Sequence, residues 1–187
     1  MWTLYENATR KYCPKAEIIY DEFHIIQNYG KVIDKVRNME FAKAKQEQQK
    51  IFKGTKYLLL SNRANVRGQN RVKLDDLLRV NQSLSMVYLL KDDLKHLWDY
   101  RSEGWAKKWF AGWYHRAIES GIEPLIKFAE SLGFHLKGIL AHCRYPISTS
   151  FLEGMNNKIK VIKRISFGFR DMEYFFLKIR GAFSAKS

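Results

Sequence analysis

The sequence is poor in residues that staple, break or span. It has two cysteines, Cys13 and Cys143, and three prolines in 187 residues. Two cysteines build neither a disulfide framework nor a zinc cluster by themselves, so reduced thiols and a cytoplasmic location are expected. With few prolines and no Gly/Ser linker or low-complexity tract, little interrupts helix formation. The longest apolar runs, such as 57–60 and 86–90, are too short to cross a bilayer. The opening MWTLYENATRK has no apolar signal core. Gly-rich phosphate loops, a nucleophile elbow and CxxC pairs are absent, so no nucleotide cofactor is expected.

Acid is scarce as well. There are 19 Asp and Glu against 33 Lys and Arg, a net charge of +14. Such an excess favours a polyanionic partner, either nucleic acid or an anionic membrane surface, and says nothing about fold. What is plentiful is core material. Hydrophobic residues make up 46% of the chain and aromatics 14%, with five tryptophans. That is enough for a packed globule and excludes wholesale disorder.

The expected fold is mainly α with a small α/β part. AEIIYD, residues 16–21, is β-branched and aromatic, follows Pro14 and fits a short buried strand. After Asp21 the period changes, and Ile26, Tyr29, Ile33 and Val36 recur at helical spacing. Residues 51–145 read as an all-helical block. Leu74, Leu77 and Leu78 suit one helix; Leu84, Val87, Leu90, Leu94 and Leu97 suit another. Trp105, Trp109, Phe110 and Trp113 read as core rather than as a binding platform. Gly121, Gly133 and Gly138 are expected at turns or helix ends. After Pro146, Leu152, Met155, Ile159 and Ile162 form an amphipathic stripe. Asp171 suits the cap of a last helix, with Met172, Phe175, Phe176, Ile179 and Phe183 as its buried stripe.

Two carboxylates stand where chemistry is expected. Asp21 ends the expected strand; it can cap the next helix or present a carboxylate to Mg²⁺. Glu153 follows Ser150 at capping-box spacing, which makes it either a cap or a metal ligand. Its helix continues with Lys158, Lys160, Lys163, Arg164 and then Arg170, with no further acid between 153 and 170. A solvated face has that composition, and so does a face laid along phosphates. His24 lies three residues after Asp21 and can face the same cavity. His135 and His142 are about 10.5 Å apart if on one helix, too far to share a metal. His96 and His115 are expected to have no local partner.

Taken together, these stretches resemble a known family. AEIIYDEFHIIQNYGKVIDKVRNME resembles the segment around the second catalytic Asp of bacterial insertion-sequence DDE transposases of the ISL-three family. LEGMNNKIKVIKRISFGFRDMEYFFLKI resembles that family's C-terminal segment, with its last carboxylate and an aromatic-Gly-aromatic-Arg turn. LLKDDLKHLW and SGIEPLIKFAESL are similar to parts of the helical insertion between them.

The resemblance implies an RNase H-like core interrupted by a large all-helical insertion, divided here as 1–50, 51–145 and 146–187. It implies Mg²⁺- or Mn²⁺-dependent cleavage and joining of DNA strands at transposon ends. Asp21 and Glu153 would be catalytic metal ligands and His24 the histidine beside the site. Asn156, Asn157, Lys158, Lys160, Lys163, Arg164 and Arg170 would contact DNA. The first Asp of the triad has no counterpart, since Glu6 and Glu17 are the only acids before Asp21. The chain therefore reads as the C-terminal part of a transposase, weak or lacking in metal binding and inactive alone. It is expected to be mainly helical and aggregation-prone unless it meets a partner: a second copy or the N-terminal part. The alternative is a non-enzymatic DNA-binding or regulatory protein that modulates a full-length transposase. A structural helical protein with a solvated basic surface would bind DNA little at moderate salt.

Overall fold

The computed structural model describes residues 2–146 and 150–183, with the side chains of 2–5, 47, 48 and 150–152 outside the description. It contains two compact units, residues 1–146 and 147–187, and each is described by itself.

The first unit is a helical assembly. Its elements are α1 (Trp2–Tyr12), α2 (Glu22–Lys43), α3 (Gln46–Phe52), α4 (Lys56–Leu60), α5 (Gln69–Val80), α6 (Gln82–Lys95), α7 (Glu103–Glu119), α8 (Glu123–Phe134) and α9 (Leu136–Leu140). The central helix is α2. It buries Ile25, Tyr29, Val32, Ile33 and Val36, a stripe at the helical period. That stripe packs on α6 and α8. Leu74, Leu77, Leu78, Leu84, Val87, Leu90, Leu94 and Leu97 are all buried in the same core, as their spacing requires. The core therefore runs across residue 50 without a break.

Polar tips tie the helices together. Tyr29 Oη donates to the Val87 carbonyl at 2.8 Å, and Trp113 Nε1 donates to the Leu90 carbonyl at 2.9 Å. Asn81 caps α6 by accepting from Leu84 N at 2.8 Å, and its amide donates to Glu40 on α2 at 2.8 Å.

Residues 16–21 are not a strand, and no strand occurs among the described residues. A β-branched run becomes a strand only when a neighbouring backbone pairs with it. Here the neighbour is a helix. The segment lies against α9, where Tyr20 N donates to the Gly138 carbonyl at 3.2 Å. Ile18, Ile19 and Tyr20 are only half-buried.

Gly138 itself sits within α9 rather than at a turn. A Cβ there would lie 2.6 Å from the Tyr20 ring and 2.9 Å from the Ile18 carbonyl oxygen. Close approach of two backbones is what demands glycine. Gly121 does punctuate the end of α7, with φ +66°.

The tryptophan reading divides. Trp113 is fully buried and Phe110 nearly so, but Trp105 is 62% exposed. A helix has one core-facing stripe, and Trp105 lies off it.

Lys91 is buried in this core. Its ammonium donates to the carbonyls of Leu59 at 3.0 Å and Ser61 at 2.8 Å, at the end of α4. It also lies 4.3 Å from the centre of the Tyr88 ring. Burial pulls its pKa from the ordinary 10.5 down to about 8, with Asp92 opposing. Between about pH 8 and pH 10 the unfolded chain therefore binds more protons than the folded one, so stability rises with pH. The expected gain is on the order of 2 kcal/mol. Above that window the trend reverses, because burial raises the folded pKa values of Tyr88 and Tyr29. Urea denaturation across the window measures the slope. Lys91→Met should flatten it; an unchanged slope in the variant would assign the effect elsewhere.

The second unit is a helical hairpin of α10 (Ser150–Ile165) and α11 (Met172–Phe183). Met155, Ile159 and Ile162 are half-buried, as are Phe175, Ile179 and Phe183. Met172 and Phe176 were expected inside and are instead 54% and 53% exposed. Two helices alone lack the surface to enclose both stripes. Asp171 caps α11 as expected, accepting from Glu173 N at 2.8 Å and Tyr174 N at 3.1 Å.

Candidate DNA-processing site

One candidate region is the start of α2. Asp21 is the N-cap of that helix. Its Oδ1 accepts from Phe23 N at 2.7 Å and lies 3.5 Å from His24 Nδ1. The capping role is therefore real, and it fixes the carboxylate at a helix N-terminus, where negative charge is favoured. Asp21 and His24 line one cavity of about 240 Å³, together with Glu6 from α1 and Ile18 to Tyr20. Next to Asp21, burial raises the Glu22 pKa, and the charges of Asp21 and Asp99 raise it further. The carboxylates around this helix start repel one another, which is the condition a bound cation relieves.

Sequence reasoning missed how this corner is pinned. Tyr20 donates its hydroxyl to Glu6 Oε1, and His135 Nε2 approaches the same oxygen at 3.1 Å. The Tyr20 and His135 rings meet edge to face at 5.3 Å. Burial and then the Glu6 contact push the Tyr20 pKa upward. Three residues far apart in sequence thus clamp α1, the 13–21 segment and the end of α8. No local spacing signals such a cluster. The other histidines are structural or superficial. His142 is buried against the Ile139 carbonyl at 2.7 Å. His96 and His115 pair with Asp99 and Glu119 on their own helical turns, so they do have local partners.

The other candidate region is α10. Glu153 is half-buried in its first turn. The proposed Ser150 capping box lies outside the described side chains. Glu153, Asn157, Lys160 and Arg164 follow one another at helical spacing on one face, and Asn156 and Lys163 lie beside it. All of these except Glu153 are exposed. Lys158 is engaged differently: its ammonium donates to the Ala182 carbonyl and sits 4.7 Å from the Phe183 ring. It satisfies the end of α11.

The turn after α10 closes with Gly168 N donating to the Lys163 carbonyl and Phe167 N to the Arg164 carbonyl, both at 3.0 Å. Phe167 adopts φ +51° and is fully exposed. Arg170 is exposed just beyond it. Among the described residues, no group of three or more His, Cys, Asp or Glu is arranged to hold a metal ion.

A family model described as "Transposase" matches residues 1–179. The chain belongs to the ISL-three family of DDE transposases. Over 186 residues it is 49% identical to the transposase for insertion sequence element IS1001 of Bordetella parapertussis, covering 98% of this chain and 46% of that one. Over 181 residues it is 24% identical to the transposase for insertion sequence element IS1557 of Mycobacterium tuberculosis, covering 84% and 40% respectively. The chain thus spans less than half the length of these transposases. No solved structure gives a significant match. No described helix of this transposase-family chain is long and apolar enough to cross a membrane.

Proposed function

We propose that these residues carry two of the three carboxylates of a DNA strand-transfer site, Asp21 and Glu153, and the basic surface that holds the DNA. The observation that carries the reading is the family match across residues 1–179, which spans both carboxylates and the α10 face. The donor set suits Mg²⁺ or Mn²⁺. Magnesium takes one or two protein carboxylates and completes its shell with water and phosphate oxygens. Asp21 and Glu153 would hold the metal, which supplies charge neutralisation and an activated water for phosphodiester cleavage. Asp21 is positioned for this by its cap, and His24 borders the same cavity. Asn156, Asn157, Lys160, Lys163, Arg164 and Arg170 would bind backbone phosphates, fixing register rather than reading sequence. Lys158 contributes charge while it braces the hairpin.

No aspartate precedes Asp21 in these 187 residues. Whatever supplies the third carboxylate of an RNase H-like core lies outside them, so the chain by itself is expected to cleave no DNA. A second reading is favoured by the observation that Asp21 is engaged as a cap: a non-enzymatic DNA-binding protein that modulates a complete transposase by mixed assembly.

Metal separates the two. Mn²⁺ binding followed by electron paramagnetic resonance should be detectable in the wild-type chain and weakened at least about tenfold in Asp21→Asn and Glu153→Gln. Equal Mn²⁺ binding in all three proteins would sink the strand-transfer reading and leave the regulatory one. DNA affinity should fall steeply with salt in either case, with a slope of about −0.9 per phosphate neutralised. Affinity for DNA that ignores salt would argue against both.

A further inference from the structure

The exposed tryptophan on α7 has no structural explanation in the core. Trp105 is 62% exposed, and Lys108 sits over its ring with the ammonium 5.4 Å from the centre. Trp105, Lys108, Trp109, Gly112 and Arg116 lie along one stripe of the helix, at spacings of three, one, three and four. With Tyr100 they line a groove of about 480 Å³. Trp109 is half-buried and packs on Tyr100 at 6.2 Å, so the inner wall of the groove is rigid.

Gly112 occupies the middle of the stripe. Glycine inside a helix weakens it relative to alanine. At Gly112 no close packing demands it, because an added Cβ would meet nothing within 4 Å. The missing side chain leaves the groove open.

We propose that this groove stacks one unpaired base of a DNA strand. This rests on the DNA reading given above and adds a site to it on the helical unit, lined by residues other than Asp21 and His24. A flat aromatic face with a cation on it suits a base and its phosphate together. A base taking the Trp105 face displaces the Lys108 ammonium toward the adjoining phosphate. Lys107 and Arg101 are exposed nearby in sequence and add positive charge. Arg116 is held by Asp93 at 2.8 Å, so it borders the groove with its charge already paired. A base inside a duplex has both faces covered by its neighbours. The groove therefore takes a base that is unpaired or in a single strand.

The test is fluorescence anisotropy of the whole chain with a labelled single-stranded oligodeoxynucleotide and with the matched duplex. Trp105→Ala should weaken single-strand binding about tenfold, and Trp105→Phe should retain most of it. Gly112→Leu, which fills the groove with a good helix former, should match the loss. Duplex affinity should stay within about twofold in all three, since duplex binding rests on phosphate contacts. Gly112→Leu keeps the test decisive if Trp105→Ala fails to fold. Single-strand affinity unchanged in the folded variants would overturn the stacking site while leaving the DNA reading intact. An equal loss on single strand and duplex would also overturn it, by making the groove a general contact. A wild-type chain that binds neither DNA would remove both.

Discussion

Gly138→Ala should destabilise the protein by about 1–3 kcal/mol and loosen Asp21, although alanine is the better helix former. Helix propensity alone predicts the opposite sign, so the experiment is decisive. The new methyl group would stand 2.6 and 2.8 Å from two Tyr20 ring carbons and 2.9 Å from the Ile18 carbonyl oxygen. A free ring would swing aside, but Tyr20 is tied to Glu6 and braced by His135. The carbonyl is backbone and cannot yield without moving the segment. Tyr20 is followed directly by Asp21, so relief of the clash shifts the cap of α2. Gly30 is a useful contrast. Its added Cβ would meet only a Leu60 side-chain carbon at 3.1 Å, which a small rotation relieves. Gly30→Ala should therefore cost less. Urea denaturation of both variants, with Mn²⁺ affinity as the readout at Asp21, checks the pair. A stabilised Gly138→Ala protein would mean that the 13–21 segment does not press on α9.

That contact also marks the limit of what the sequence makes legible. Periodicity identifies α5 and α6 because Leu74, Leu77, Leu78, Leu84, Val87, Leu90 and Leu94 recur within single helices, and each is buried. The Asp171 cap is legible for the same reason, since cap and helix are neighbours in the chain. The segment 16–20 is misleading because strand formation depends on a partner that local sequence does not contain. Trp105 is misleading because apolar character does not say which stripe of α7 faces inward. Asp21 and His24 are legible as candidates through the family resemblance. Their cavity is not, because Glu6 and Thr9 reach it from α1, a separate helix. Gly138 belongs to this last class: its role is set by a segment more than a hundred residues earlier.

Trp113→Ala should cost about 3–5 kcal/mol, the range for deleting a large buried aromatic. Trp113 is 0% exposed and stacks on Phe110 at 5.9 Å with a tilt of 28°. Its indole N–H reaches across to the Leu90 carbonyl of α6. It also meets the Tyr29 ring of α2 edge-on at 6.5 Å. Truncation thus opens a cavity where α2, α6 and α7 meet. Against a typical domain stability of about 5–15 kcal/mol, that is about a fifth of the total or more. Trp113→Phe keeps much of the volume and loses the N–H, so it should fall well short of the alanine variant. The effect should extend to the site as well. Helix α2 carries Asp21 and His24 at its N-terminus, and Tyr29 is two turns along it. A loosened Tyr29 contact therefore allows the helix start to move, and metal or DNA affinity should drop before the protein unfolds. Chemical denaturation gives the stability term, and Mn²⁺ titration below the unfolding transition gives the positional one. A loss under about 1 kcal/mol would show that the three helices do not depend on this ring for their packing.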